Sequence, residues 1–231
     1  MSSTAPPPPA TAPLLEARAL ARSDAQQQVL LAPTDFILRA GERVALIGAS
    51  GSGKSVFLRS LALLDAPSGG TLRWHDQPLD AQGLPPFRAA VCYLAQRPAL
   101  VDGTVLDNLR LPFTLASHRQ RHFDLQAATD LLARAGKPAS FLDKSATELS
   151  GGEAQIVALV RVVQLAPQVM LLDEPTAALD PQSAAAVEQL VTDWFEASPD
   201  TRACLWVTHD HGQARRMCDR QLNMERGVLQ P

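Results

Sequence analysis

The sequence predicts an α/β fold with a parallel sheet at its centre, and three observations predict it. Short apolar runs at residues 43–47, 91–95, 169–172 and 203–208 read as buried parallel strands. Each run is followed by a polar or glycine residue (Gly48, Gln96, Asp173, His209), which would lie at the carboxyl edge where open α/β sheets bind ligands. Helical spacing recurs between the runs, as crossovers between parallel strands require.

The remaining elements follow in chain order. Residues 1–13 are rich in Pro and Ala, with neither a basic start nor an apolar centre. They read as a flexible, partly polyproline-type tail and not as a secretory leader. Residues 14–20, 34–39 and 71–74 read as strands of an antiparallel β layer. A helical stretch separates Gln96 from the strand at 169–172. Within it Asp124 can cap a helix that runs to Ala135, with Gly136 and Pro138 stopping it. Another helix follows Ser150. Asp180 and Pro181 fit the N-cap and first position of a third, which ends before Pro199. Residues 222–229 read as a hairpin turning at Arg226-Gly227. The expected division is a tail (1–13), a core with its β layer (14–96 and 167–231) and an inserted helical subdomain (97–166).

Gly48, Ala49, Ser50, Gly51, Ser52, Gly53, Lys54 and Ser55 fit G-x-x-x-x-G-K-[ST], between a strand and the helical pattern of Phe57, Leu58, Leu61 and Leu64. Glycines let the backbone approach an anion closely. Successive N–H groups at a helix N-terminus then form an anion-binding concavity. Lys54 is expected to reach the β- and γ-phosphates of a nucleotide and Ser55 to ligate Mg²⁺.

Asp173 and Glu174 end the third apolar run, in position to face the same crevice. Asp173 is the candidate Mg²⁺ partner, through water, and Glu174 the group that polarises an attacking water. Taken alone the pair would read as solvated acids at a strand end; the phosphate loop changes that reading. His209 arrives at the same edge, to hydrogen-bond a γ-phosphate or hold the water. Gln96 does too, with an amide able to bond both a metal and a water.

Leu149, Ser150, Gly151, Gly152 and Glu153 form the second glycine segment, and Ser150-x-x-Glu153 has the form of a capping box. The apolar stripe Ile156, Val157, Leu159, Val160 and Val163 follows. The helix it starts offers a partly positive N-terminus to an anion. Since the chain already has a phosphate loop, a second anion site suggests a ligand shared between two protomers.

At 231 residues and 46% hydrophobic the chain suits one compact unit. No apolar run is long enough to span a bilayer. A net charge of −3 does not suit a general nucleic-acid binder. The three cysteines, Cys92, Cys204 and Cys218, read as reduced thiols. His118 and His122 are four apart but flanked by Arg119 and Arg121, so they read as a solvated basic helix face and not as a metal site.

With these residues in hand, the chain resembles the nucleotide-binding subunit of an ABC transporter. The motifs stand in family order: Walker A at 48–55, the Q-loop at Gln96, the signature at 149–153, Walker B ending in Asp173-Glu174, the D-loop at Ala178-Leu179-Asp180 and the switch histidine His209. Within the family, Tyr93-Leu94-Ala95-Gln96-Arg97-Pro98-Ala99-Leu100, Gly103-Thr104-Val105-Leu106-Asp107-Asn108-Leu109 and Leu205-Trp206-Val207-Thr208-His209-Asp210 are most similar to the ATPases of bacterial iron-export systems. Amino-acid and lipoprotein transporters have similar stretches, so other cargoes stay open.

The resemblance implies a RecA-like P-loop NTPase core that hydrolyses ATP with Mg²⁺ bound by Ser55, Gln96 and Asp173. Glu174, His209 and Gln96 would be catalytic, and Asp180 would carry communication across a dimer. It implies a head-to-tail homodimer in which Ser150, Gly151 and Gly152 meet the partner's ATP. The dimer would sit on permease subunits at the cytoplasmic face of the inner membrane and bind no specific nucleic acid. A soluble ABC ATPase acting on DNA or ribosomes is the rival, but such proteins usually carry coiled-coil inserts or two cassettes. Three departures stand out. No aromatic precedes Phe36 to stack on adenine, which leaves Arg22 as the candidate. Ile156 replaces the usual Arg after the signature, and the signature ends in Glu153 where Gln is commoner.

Overall fold

A computed structural model describes residues 13–118 and 120–230. The expected N-terminal tail lies outside them except for Pro13, which opens the first strand instead of closing the tail. In chain order the elements are β1 (Pro13–Ser23), β2 (Val29–Arg39), β3 (Arg43–Ile47), α1 (Lys54–Leu61), β4 (Gly69–Trp74), β5 (Gln77–Pro78), α2 (Leu84–Ala90) and β6 (Val91–Leu94). Then come α3 (Val105–Arg110), α4 (Leu125–Arg134), α5 (Gly151–Val163), β7 (Val169–Asp173), α6 (Pro181–Glu196), β8 (Ala203–Val207), α7 (His211–Met217), β9 (Arg220–Glu225) and β10 (Val228–Gln230).

These strands make two sheets, β2-β1-β4-β5 and β10-β9-β3-β8-β7-β6. The first is antiparallel throughout, as expected. In the second, β9, β3, β8, β7 and β6 run parallel and only β10 is reversed. This is the α/β fold that the apolar runs imply, in the RecA-like P-loop form that the resemblance implies. The carboxyl ends of β3, β6, β7 and β8 therefore share one edge, with β3 between β9 and β8.

The parallel sheet is buried on both faces, and side-chain alternation sorts its residues into two cores. Val44, Leu46, Leu171, Leu205 and Val207 pack with α1 and the antiparallel sheet. Ala45, Met170, Leu172, Cys204 and Trp206 pack against the helical side with α5 and α6. Phe57 of α1 is fully buried in the first core and meets Phe36 of β2 edge-on, ring centroids 5.3 Å apart. This contact fixes the helix that follows the phosphate loop against the antiparallel sheet. Ile156 is buried in the second core, with no charge to satisfy there.

Four features go beyond or against the sequence reading. β5 pairs with β4 through a tight turn whose residues His75 and Asp76 have φ of 49° and 58°. α2 carries Pro85 and Pro86 in its first turn, just after Leu84, where missing N–H groups cost nothing. The 220–230 hairpin does not stand apart: β9 joins the parallel sheet beside β3. The solvated helix expected around His118 and His122 is absent; His118 ends a 3₁₀ turn (Ala116–His118) and is 6% exposed, and Arg121 donates to the Leu165 carbonyl. Pro112 and short 3₁₀ turns, not a helix, shape residues 111–118.

Cys92, Cys204 and Cys218 are free thiols. Burial pushes Cys92 up to about 11 and Cys218 up to about 12, and raises Cys204 as well. Thiolate chemistry at neutral pH is thereby suppressed. Among the described residues no helix is long and apolar enough to cross a membrane.

The Phe57 contact gives a direct test. Phe57→Ala should destabilise the fold by about 3–5 kcal/mol, the usual cost of emptying a buried aromatic site. Urea unfolding should show a lower midpoint with an unchanged slope.

Candidate functional site

The phosphate loop leaves β3 and enters α1 directly. Gly53, its last residue before the helix, has φ of 108° and accepts the first helical bond, from Phe57. Gly48 has φ of 154°, and a Cβ there would lie 2.3 Å from the Met224 carbonyl oxygen of β9. No side chain fits. Lys54 is 5% exposed and donates from Nζ to the carbonyls of Gly48 and Ala49, at 2.8 Å each. Its ammonium has three donors, so one remains for an anion. Ser52 Oγ is buried without a hydrogen-bond partner in the loop itself. Buried polar atoms are rarely left so, and a phosphate oxygen is the fitting acceptor.

A cavity of about 760 Å³ opens over this loop. Residues 48–55 line it, joined by Gln96, Glu174 and His209 and by Gln28, Val29, Leu30, Arg226 and Gly227. The sheet order explains the assembly. β8, β7 and β6 lie on one flank of β3 and bring His209, Glu174 and Gln96; β9 and β10 lie on the other and bring the 226–227 turn.

On the first flank the three polar residues meet. Gln96 Nε2 donates to Glu174 Oε2 at 2.9 Å, and His209 Nδ1 lies 3.8 Å from the same oxygen. Glu174 has φ of 47°, a left-handed conformation unusual for this residue type and of the kind that concentrates at functional sites. Its side chain is 17% exposed, whereas that of His209 is 73% exposed, free to turn toward a ligand. Asp173 is 3% exposed, and its Oδ2 accepts from the Tyr93 hydroxyl at 2.9 Å. Burial, and then the Asp173 charge, push the Tyr93 phenol upward, so it stays a proton donor. Tyr93 thus orients the carboxylate and leaves Oδ1 for another partner. Ser55, Asp173 and Gln96 supply a hydroxyl, a carboxylate and an amide oxygen, hard donors that suit Mg²⁺. Gln96 spends its amide nitrogen on Glu174, which leaves its oxygen as the acceptor.

Behind this cluster Gln213 of α7 is 6% exposed and takes part in four contacts. It accepts from Trp206 Nε1 (3.2 Å), donates to Thr176 Oγ1 and Glu188 Oε1 (both 2.8 Å), and its backbone N–H bonds Asp210. It ties the segment after His209 to the segment after Glu174.

The second glycine segment forms the capping box its spacing implies. Ser150 Oγ accepts from Glu153 N at 3.2 Å, and Glu153 Oε2 accepts from Ser150 N at 2.9 Å. Lys144 Nζ also bonds both Glu153 oxygens, at 3.1 and 2.9 Å. The Ser150 backbone bond and then Lys144 hold the Glu153 carboxyl below its ordinary range. Gly151 has open space around it, and a Cβ on Gly152 would meet the Ala178 carbonyl at 2.9 Å. Neither glycine nor Ser150 lines the cavity over the phosphate loop. Asp180 is the N-cap of α6, accepting from the N–H of Gln182 and Ser183 and from Ser183 Oγ.

Arg22 is corrected. Its guanidinium donates to the Ala66 carbonyl at 2.9 Å and does not line the cavity. Sequence reasoning missed Val29, Gln28 and Arg226 at the cavity and Tyr93 behind it. The Arg226-Gly227 turn was readable as a turn, but its approach to the phosphate loop is a long-range event.

A family model described as ABC transporter matches residues 31–177. The chain is 41% identical over 178 residues to the probable iron export ATP-binding protein of Escherichia coli, covering 76% of each. It is 38% identical over 203 residues to a methionine import ATP-binding protein of Pseudomonas fluorescens, covering 86% of this chain but only 60% of that protein. Among solved structures it superposes with a TM-score of 0.81 and 26% identity on a dimeric, post-hydrolysis ATP-binding cassette bound to ADP and Pi, covering 92% of this chain and 95% of that one.

The Glu153 contacts predict a pH signature. Its folded-state carboxyl titrates lower than in the unfolded chain, so its stabilisation is present above the unfolded value, about 4.3, and fades as pH falls through the folded value. Glu153→Gln keeps the reach to Ser150 but loses the Lys144 ion pair. At pH 7 the variant should melt below the parent, and the gap should begin to close only below about pH 4.3 and vanish once pH has fallen through the lower folded value.

Proposed function

This chain belongs to the ABC transporter family as an ATP-binding, ATP-hydrolysing subunit, and from that premise we propose that two copies close head-to-tail around ATP to drive a separate membrane permease. One observation carries the dimer: the helix N-terminus at Ser150 and Gly151 is open and capped, yet lies off the cavity of its own chain. A second copy would bring this end to the other face of the nucleotide. That the similar cassette bound to ADP and Pi is dimeric supports the presence of a second copy.

In this reading residues 48–55 hold the phosphates, with Lys54 on the β- and γ-phosphates. Ser55, Asp173 and Gln96 hold Mg²⁺, which when bound neutralises phosphate charge. Glu174 polarises the attacking water; its contact with Gln96 and its fixed backbone keep the carboxylate aimed. His209 holds the water or the γ-phosphate. The γ-phosphate is the charge that both protein faces need, so its loss on hydrolysis releases the partner's Ser150, Gly151 and Gly152. Ala178 and Leu179, just before Asp180, adjoin Gly152, and the loop that ends in Asp180 reports this opening to the opposite site. Residues 14–96 and 167–231 act as the core and residues 97–166 as a helical subdomain that moves against it. The loop after Gln96 carries the motion to the permease, at the cytoplasmic face of the inner membrane.

For the cargo we favour iron, exported. The iron-export relative is the more identical of the two relatives described, and the chain covers 76% of its length against 60% of the methionine-import protein. A strain lacking this chain should become sensitive to added iron. Unchanged iron tolerance with impaired methionine uptake would reverse the assignment, and ATPase activity stimulated by DNA or ribosomes would point away from transport.

Two substitutions test the shared site. Glu174→Gln should lower turnover by about 100-fold or more and leave an ATP-bound dimer on size-exclusion chromatography. A monomer hydrolysing at the normal rate contradicts the role of Glu174. Ser150→Arg should abolish turnover while nucleotide affinity of the isolated chain changes little. Equal loss of both would place Ser150 in its own chain's binding face.

A further inference from the structure

We propose that Arg226 and Val29 clamp the nucleotide base, with the Arg226 guanidinium on one face of the ring and the Val29 methyls on the other. The proposal rests on the phosphate-loop reading above and extends it to the part of the ligand that reading leaves unheld.

The sheet order divides the cavity. Glu174, Gln96 and His209 come from β7, β6 and β8, all on one flank of the strand that feeds the phosphate loop. The γ-phosphate belongs there, since those are the groups able to act on water. The base and ribose must extend to the opposite flank, where the cavity wall is the 226–227 turn and the start of β2. No Phe, Tyr or Trp lines that wall.

The two proposed contacts have surface to spare. Val29 is 60% exposed, the first residue of β2, and an apolar side chain in that position has nothing of its own to cover it. Among the described residues, Arg226 has no hydrogen bond, ion pair or ring contact with another side chain, in contrast to Arg22, which is tied to Ala66. A free guanidinium is planar and weakly hydrated, and it stacks on π faces as a lysine cannot.

Both are held in register with the phosphate loop. Gly227 N donates to Ser52 O at 2.7 Å, and Gly227 O accepts from Ala32 N at 2.8 Å. A Cβ on Gly227 would lie 2.8 Å from the Leu30 carbonyl, and one on Gly53 would lie 3.2 Å from Gly227 Cα. The turn is thus wedged between the loop and β2, with Arg226 at φ of 47° beside it. On the β2 side, Asp24 Oδ1 accepts from Gln26 N and Gln28 N, which fixes the approach to Val29. The clamp has two stacking faces and reads area, not hydrogen-bond pattern, so it accepts adenine and guanine alike.

Calorimetric titration of the full chain with ATP, GTP and inorganic tripolyphosphate, each with Mg²⁺, tests this. Arg226→Ala should weaken ATP and GTP together by about 5- to 50-fold, as loss of one stacking partner does, and leave tripolyphosphate unaffected. Arg226→Lys keeps the charge but not the plane and should behave like the alanine variant. Val29→Tyr in the Arg226→Ala background should recover ATP affinity by restoring a stacking face. Equal loss of tripolyphosphate would make Arg226 a phosphate ligand and overturn the proposal, as would full affinity for ATP in either Arg226 variant. A parent chain that binds neither ATP nor tripolyphosphate would instead overturn the phosphate-loop reading, and the clamp with it.

Discussion

The nucleotide cavity depends on the close approach of the phosphate loop to the β9–β10 hairpin. Gly48 lies so near the Met224 carbonyl that a single methyl would collide at 2.3 Å, and Gly227 closes the contact with a 2.7 Å bond to Ser52. Two backbone segments some 170 residues apart in sequence are therefore in direct contact. The strand pairing that brings them together is β9 on β3, from Val44 with Arg220 to Ile47 with Asn223. Had β9 remained outside the sheet, the loop would lack its rear wall and the cavity its second flank. The hydrophobic core supports this register: Leu222 and Met224 are buried in the same cluster as Phe57 and Leu58 of the helix that follows the loop.

The opposite flank is arranged by polar contacts in place of backbone packing. Tyr93 fixes Asp173, Gln96 fixes Glu174, and Gln213 ties the segments after Glu174 and after His209. Each is a neutral donor that orients its partner without setting an opposite charge against it. Burial makes the Gln213 bonds matter more, because an orphaned donor there would have little water to turn to. Gln213 also meets Glu188, which pairs with Arg216 at 2.9 Å. Gln213 of α7 thus links Glu188, midway along α6, to Thr176 in the loop that follows Glu174.

Local patterns were legible in the sequence because their chemistry is local. The phosphate loop, the Ser150–Glu153 box and the Asp180-Pro181 helix start each need only a few adjacent residues, and each forms as its spacing demands. Strand runs buried on both faces were equally plain, for the parallel sheet leaves no polar alternation to blur them. Long-range choices were not legible. β9 carries alternating exposed and buried residues, which suit a free hairpin as well as a sheet edge. Arg226 is one arginine in a turn until the fold sets it beside Ser52. Arg22 failed as a base contact because β1 delivers it to the Ala66 carbonyl. His118 was misread because Pro112 and the 3₁₀ turns after α3 break the helix on which it would have been solvated.

The departures from the family pattern can be followed to their consequences. Glu153 brings a full negative charge to the start of α5, where Gln would bring none. Lys144 bonds both of its oxygens and Lys137 lies 3.8 Å away, so the charge is compensated within the chain. The dipole of α5 gains from the carboxylate in its first turn, and the lysines offset its charge. Ile156 removes a cation from the same helix and enters the core among Val157, Leu159 and Val160. A buried guanidinium would need partners there, and an isoleucine needs none. The two changes work in one direction: α5 is anchored by apolar packing along its length and by ionic contacts at its start. Its open end at Gly151 is then positioned by the body of the helix, and no side-chain charge at that end needs a partner from a second chain.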